Sequence, residues 1–201
     1  METIDSIEAL EAHYGETHPA AILKVANRMA PAYRKWIEAS RFCVMSTVGP
    51  EGVDGTPRGD DGPVVRELDD KTLAMPDWRG NNRIDSLRNI VRDGRIALMF
   101  MVPGDNIVIR VNGKAKLTAD EDLRKTWEQK GKHPATVILI HIEEVYAQCP
   151  KALIRSRLWS SGDESDGLPS LGDMLTEMSK GDFDGAAFDK NSPERIKETI
   201  W

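Results

Sequence analysis

The sequence predicts a mainly β fold with peripheral helices, an α+β chain built around a β-barrel. Strand patterns dominate its middle: FCVMSTV (42–48), the apolar IALMFMV (96–102), the alternating IVIRVNG (107–113) and the long run TVILIHIEEVYAQC (136–149). Helical patterns only interrupt these strands and are too few to cover both faces of a parallel sheet. A barrel flanked by helices accommodates both observations. A chain of 201 residues suffices for one domain with a real core and is short for two. We therefore expect a single domain over 1–201. It divides into a helical lead-in (1–40), the barrel (41–149) and a helical tail (150–201) that packs on the barrel or on a second copy.

Ile4, Ile7, Leu10 and Tyr14 recur at helical spacing, with Asp5 and Glu8 placed for a capping box. Pro19 suits the first turn of a second helix running to about Met29. A third helix is expected over Ala32–Ala39. The strand 42–48 ends in the turn GPEG (49–52), and DGTPRGDDGP (54–63), rich in Gly and Pro, reads as irregular. VVREL (64–68) and TLAMP (72–76) make a hairpin through Asp69-Asp70-Lys71. A helix is expected over Asn82–Val91, with Ile84, Leu87 and Val91 on one face. Ile96–Val102 is apolar on both faces and reads as a buried central strand. In the next strand Ile107, Ile109 and Val111 alternate with Val108, Arg110 and Asn112, which sets Arg110 on the face opposite the three aliphatics. A helix over Asp120–Lys130 contains Trp127. Beyond Pro150 a basic helix (151–159), a flexible loop (160–169) and an amphipathic helix marked by Leu171, Met174, Leu175 and Met178 complete the pattern.

The net charge of -6 argues against a general nucleic-acid binder, which needs a strongly basic face. The N-terminal stretch has no apolar core of signal-peptide length and no run approaches a membrane span, so a cytoplasmic protein without membrane contact is expected. Cys43 and Cys149 have no CxxC partner and read as reduced, buried thiols. His13, His18, His133 and His141 lack metal-ligand spacing, so no metal is assigned. There is no triad, nucleophile elbow or carboxylate pair to name as catalytic.

Within this acidic chain, PDWRGNNRIDSLRNIVRDGR concentrates Arg79, Arg83, Arg88, Arg92 and Arg95. The planar fork of arginine holds phosphate oxygens through two parallel charge-assisted bonds. Arg79 and Arg83 flank two Asn residues where a loop becomes a helix, and there the open amides and the helix dipole also favour an anion. The segment reads as a pocket for a small phosphorylated ligand. Arg88 and Arg92 read instead as a solvated helix face partnered by Asp85 and Asp93.

PRGD (57–60), PDWRGNNRIDSLRNI (76–90), RVNGKA (110–115) and CPKALIRSRLW (149–159), in that order and on those elements, resemble the flavin-binding split barrel of the pyridoxamine 5′-phosphate oxidase family, and in particular an FMN-dependent branch of it. The resemblance spans roughly Phe42–Trp159. It implies FMN as cofactor and a homodimer with two flavin sites between subunits. By position, Arg83 is implied as the main phosphate ligand, supported by Arg79 and Asn82. Arg58 and Asp60 would lie near the ribityl chain or ring edge, and Pro76 and Asp77 end the strand that lines the flavin. Arg110 and Trp159 are also implied at the cofactor, and Arg155 and Arg157 on the side of a small-molecule substrate or electron donor. Two departures bear on activity. The family's Gln two residues before the Arg of its Arg-Val-Glu-Gly strand is Val108 here, and no Arg-x-His follows Cys149. These argue against authentic pyridoxamine 5′-phosphate oxidase activity and for an FMN-dependent oxidoreductase of another substrate. A non-enzymatic flavin carrier or sensor, or a structural dimer with a vestigial pocket, are the alternatives.

Overall fold

A computed structural model describes Met1 and residues 3–201. The strands are β1 (Phe42–Gly49), β2 (Gly52–Gly59), β3 (Arg66–Asp69), β4 (Thr72–Asp77), β5 (Arg95–Met101), β6 (Val108–Thr118) and β7 (Thr136–Gln148). The helices are α1 (Ile7–Glu11), α2 (Pro19–Leu23), α3 (Pro31–Glu38), α4 (Asp85–Arg92), α5 (Glu121–Lys125), α6 (Lys151–Ser156), α7 (Leu171–Met178) and α8 (Gly185–Thr199). All strand pairs are antiparallel, in the order β2-β1-β5-β6-β7-β4-β3. The sheet curls without closing, as a split barrel does. Where the end of β2 meets the end of β4, Arg58 Nη1 donates to Asp77 Oδ1 at 2.5 Å.

Alternation decides which side chains fill the interior. Cys43 and Met45 of β1, Leu98 and Phe100 of β5, Val111 of β6 and Ile138, Ile140 and Ile142 of β7 form one core with Leu73 and Met75 of β4. Leu87 and Ile90 of α4 and Ile37 of α3 plug its open sides. On the other face of β4 and β7, Ala74 and Val137 pack against Trp127. Among the described residues no helix is long and apolar enough to cross a membrane.

Several elements depart from expectation. The Gly- and Pro-rich stretch after the first turn is strand β2, not an irregular segment. It is an edge strand, and an edge tolerates Pro57, which has no N–H to donate. The strand β5 is central but alternates, with Met99 on a half-open outer face, rather than being buried on both sides. Helix α1 is capped by Ser6, whose hydroxyl accepts from Ala9 N–H at 3.1 Å, and not by Asp5. Helix α2 stops at Leu23, and α5 stops at Lys125, leaving Trp127 in the following turn. Helix α4 begins at Asp85 rather than Asn82, because Asn82 and Ile84 both take left-handed backbone angles (φ 60° and 54°). Asn81 Oδ1 accepts from Arg83 N–H at 3.0 Å, a local turn that competes with the helix. Cys149 is exposed, while Cys43 is buried; both thiols are free. Arg92 pairs with Glu51 and Arg95 with Asp93, so Asp85 is left for Arg83.

The fifteen-residue α8 falls in the tail, in a stretch where no separate helix was expected. Its start lies against α7 at backbone distance: a Cβ on Gly172 would come within 2.2 Å of the Gly185 carbonyl oxygen, and one on Gly185 within 2.1 Å of that of Gly172. This glycine contact joins the two helices into a hairpin.

Candidate functional site

One large cavity, about 980 Å³, lies where the ends of β2 and β4 converge. That is within the usual size of small-molecule sites, roughly 300–1,000 Å³. Thr56 to Asp61 form one wall, and Met75 to Asp77 a second. The loop 78–84 and the first turn of α4 form a third, and Ile200 and Trp201 a fourth.

Each polar group here is placed by its element. Arg58 projects from β2 with its Nη1 on Asp77, while its Nε is buried with no hydrogen-bond acceptor among the described residues. An unpartnered buried donor is costly, and it marks a place where an acceptor is wanted. Asp60, just past β2, accepts from the Trp78 indole N–H at 2.8 Å and from Gln129 Nε2 at 3.2 Å, which locks the wall to the loop. Arg79 is exposed and has no salt-bridge partner among the described residues. Arg83 lies against Asp85 at 2.9 Å, a solvated pair. Buried Ser86 donates to Asp54 across the pocket floor.

The start of α4 is open. Its N-cap is Ile84, which offers no side-chain acceptor, and the first helical bond runs from Arg88 N–H to the Ile84 carbonyl at 2.9 Å. Asp85, Ser86 and Leu87 of the first turn line the cavity, and their amides have no intrahelical partner or side-chain cap among the described residues, which is the arrangement that favours anions. A β-branched residue in the left-handed region is strained, and such strain clusters where a loop is shaped for a ligand.

Arg58, Asp60, Pro76, Asp77, Arg79, Asn82 and Arg83 are thus brought to one cavity. Arg110 is not; it lies over the Tyr146 ring, 5.3 Å from its centroid. Trp159 and Arg157 border a separate cavity of about 280 Å³, where the Trp159 indole donates to the Asp105 carbonyl at 2.8 Å. Arg157 approaches Glu164 at 3.7 Å, and Arg155 is exposed at the end of α6. Sequence reasoning passed over Trp78, Ser86, Asp54, Gln129 and Trp201. Trp78 and Ser86 lie inside the basic segment and their neighbours pointed to them. Gln129 and Trp201 arrive from distant parts of the chain and carry no local signal.

Chemically the cavity offers cationic donors, helix amides and an aromatic edge. Among the described residues its lining holds no His, Cys, Lys or Tyr, so the side-chain acids and bases there besides Arg are the Asp carboxylates. Opposite Arg58 across the β1–β2 pair, burial pushes the Cys43 thiol up to about 12, against the opposing Arg58 charge. No group of His, Cys, Asp and Glu among the described residues is arranged to hold a metal ion.

Residues 29–149 match the family described as Pyridoxamine 5′-phosphate oxidase. Solved structures similar to this chain include HupZ of Group A Streptococcus, 20% identical with a TM-score of 0.49 over 59% of this chain and 93% of that one. General Stress Protein 26 from Bacillus anthracis is 19% identical with a TM-score of 0.43, over 57% of this chain and 88% of that one. A general stress protein 26-related protein of Clostridium acetobutylicum, of the pyridoxinephosphate oxidase family, is 12% identical with a TM-score of 0.45, over 58% and 85%. No curated protein matches the chain.

Proposed function

The chain belongs to the pyridoxamine 5′-phosphate oxidase family, and from that premise we propose that its large cavity binds FMN and serves an FMN-dependent oxidoreductase reaction. The observation that carries this reading is the convergence of three anion-seeking features on one cavity. These are the orphaned Nε of Arg58, the unpaired Arg79 and the uncapped start of α4. A phosphorylated ligand with a planar ring fits such a set.

Arg79, Arg83 and the first-turn amides would hold the phosphate, with Asn82 shaping the loop between them. Arg83 reaches it by leaving Asp85, and an exposed pair of this kind contributes only about 0–1 kcal/mol. Arg58 and Asp60 would face the ribityl chain or ring edge, and Pro76 and Asp77 the adjoining wall. Bound flavin would supply the hydride and electron chemistry. The residues of this chain have the remaining tasks. Arg58 presents a donor to a charged or polar ring edge, Trp78 shields one side from water, and Asp60 fixes Trp78. Val108, where the family's Gln would stand, is buried and apolar and adds no polar contact.

A homodimer belongs to the same reading. Phe42 and Met99 leave apolar surface on the outer face of β1 and β5, suited to a second copy. Arg110, Trp159, Arg155 and Arg157 lie outside the cavity, so a role for them at the flavin or its substrate requires that second copy. The second functional reading is a flavin carrier or sensor, which the same phosphate grip would serve.

The visible absorption of the purified protein, after incubation with FMN and gel filtration, tests the reading. A retained flavin spectrum is expected. Anaerobic addition of a reduced nicotinamide then separates the two forms: bleaching of the flavin is the oxidoreductase outcome, and an unchanged spectrum the carrier outcome. A protein that stays colourless refutes both.

A further inference from the structure

Helix α8 is held at both ends. Its first half is clamped to α7, where the Asp189 carboxylate accepts from Ser170 Oγ and from Gly172 N–H at 2.9 Å. Its far end crosses to the barrel. There Lys132 Nζ donates to the carbonyls of Glu198 (3.3 Å) and Trp201 (2.8 Å). The Trp201 indole then stands edge-on to Trp78, with ring centroids 5.2 Å apart and 77° between the planes. Between the two anchors lies Pro193, which has no N–H for the Asp189 carbonyl one turn back. A helix interior is weakest at such a point.

The cavity is therefore walled on one side by a residue that lies outside the family-matching stretch, residues 29–149. Among the described residues, the polar and aromatic contacts of this far end are two hydrogen bonds from one exposed lysine and one aromatic edge contact. That is enough to populate a docked state and little enough to release it.

We propose that Trp201 is a ligand-contacting residue and the movable wall of this cavity. It packs beside Trp78 against the ring system of the bound molecule, and the far half of α8 swings at Pro193 to let that molecule in and out. The identity of the ring as a flavin rests on the functional reading above; the movable wall does not.

Two indoles in edge contact couple and give a split circular-dichroism band in the far ultraviolet. In ligand-free protein, Trp78→Phe and Trp201→Phe should each erase the same band. Lys132→Met touches neither indole and should diminish it. Hydrogen exchange of the amides in 78–84 should quicken several-fold in Trp201→Ala. A wild-type protein without the band, or loop exchange unaltered in Trp201→Ala, overturns the wall whatever the protein binds. With FMN as probe, followed by flavin fluorescence in a stopped-flow cell, Trp201→Ala should raise both the association and the dissociation rate constants several-fold. Unaltered rates overturn the gating. Wild-type protein that has the band and the loop protection but takes up no FMN contradicts the flavin reading and upholds the wall.

Discussion

Arg58 and Arg83 differ in what holds them, and the difference predicts different costs. Arg83 is an exposed side chain against Asp85, so Arg83→Ala should leave stability nearly unchanged. It should weaken FMN by about 1.5–3 kcal/mol, the worth of a hydrogen bond to a charged group. Arg79→Ala should behave alike. Arg58→Ala should lower both binding and thermal stability, because it also strands the half-buried Asp77 carboxylate. Arg92 pairs with Glu51, away from the cavity lining, and Arg92→Ala is the control with little effect on FMN. Flavin titrations of the four variants, with melting curves, check the series. A second residue-scale test concerns Cys43. Between the ordinary thiol value of 9.0 and the folded value of about 12, the unfolded chain ionises this thiol and the folded chain does not. The unfolded state then binds fewer protons, so stability falls as pH rises through that window. Cys43→Ala should flatten the fall, measured as denaturant midpoints from pH 8 to 11, and an unaltered slope would contradict the burial argument.

At the scale of elements, a bulge at Glu143 of β7, opposite Asn112 and Gly113, explains the glycine of the RVNG motif. The register with β7 shifts between Asn112 and Gly113, and a Cβ on Gly113 would lie 1.9 Å from the His141 carbonyl oxygen. Gly113→Ala must push two central strands apart, and overpacking of this kind costs about 1–3 kcal/mol. Urea unfolding of this variant should show that loss. The basic loop and α4 are largely legible in the sequence because their residues are contiguous: Pro76 to Ile90 supply the phosphate-seeking arginines, the Asn turn and the helix entry in one run. The strands β1, β5, β6 and β7 are also legible, β6 from its alternation and the others from their β-rich apolar runs. Edge strand β2 is hidden because its Gly and Pro content resembles a loop, and only its place at the sheet margin makes that content tolerable. Helix α8 is hidden for a related reason. Pro193 signals a break, whereas tertiary contact through Gly172 and Gly185 keeps the helix in place. Trp201 reaches the cavity, and Gln129 the Asp60 carboxylate on its wall, by tertiary folding alone, and no local pattern announces them.

For the whole molecule, the proposed ligand site follows from one curled sheet, its split and the large cavity at that split. A long core built from β1, β4, β5, β6 and β7 makes the frame rigid, and the functional residues sit on its margins: the end of β2, the end of β4, the loop before α4 and the far end of α8. If the working unit is a dimer that shares the flavin, FMN and dimerisation are linked, and each stabilises the other. Light scattering at falling protein concentration should show dissociation at higher concentration without FMN than with it. A monomer that keeps flavin at full affinity would contradict the shared site. The central claim, that the margin between β2, β4 and α4 is a phosphate-anchored flavin site, is tested most directly by titrating the apoprotein with FMN and with riboflavin and following flavin fluorescence. FMN should bind at least about tenfold more tightly, since one hydrogen bond to a charged group contributes about 1.5–3 kcal/mol, and Arg79→Ala with Arg83→Ala should remove most of the difference. Equal affinity for the two flavins in the wild-type protein would contradict the claim.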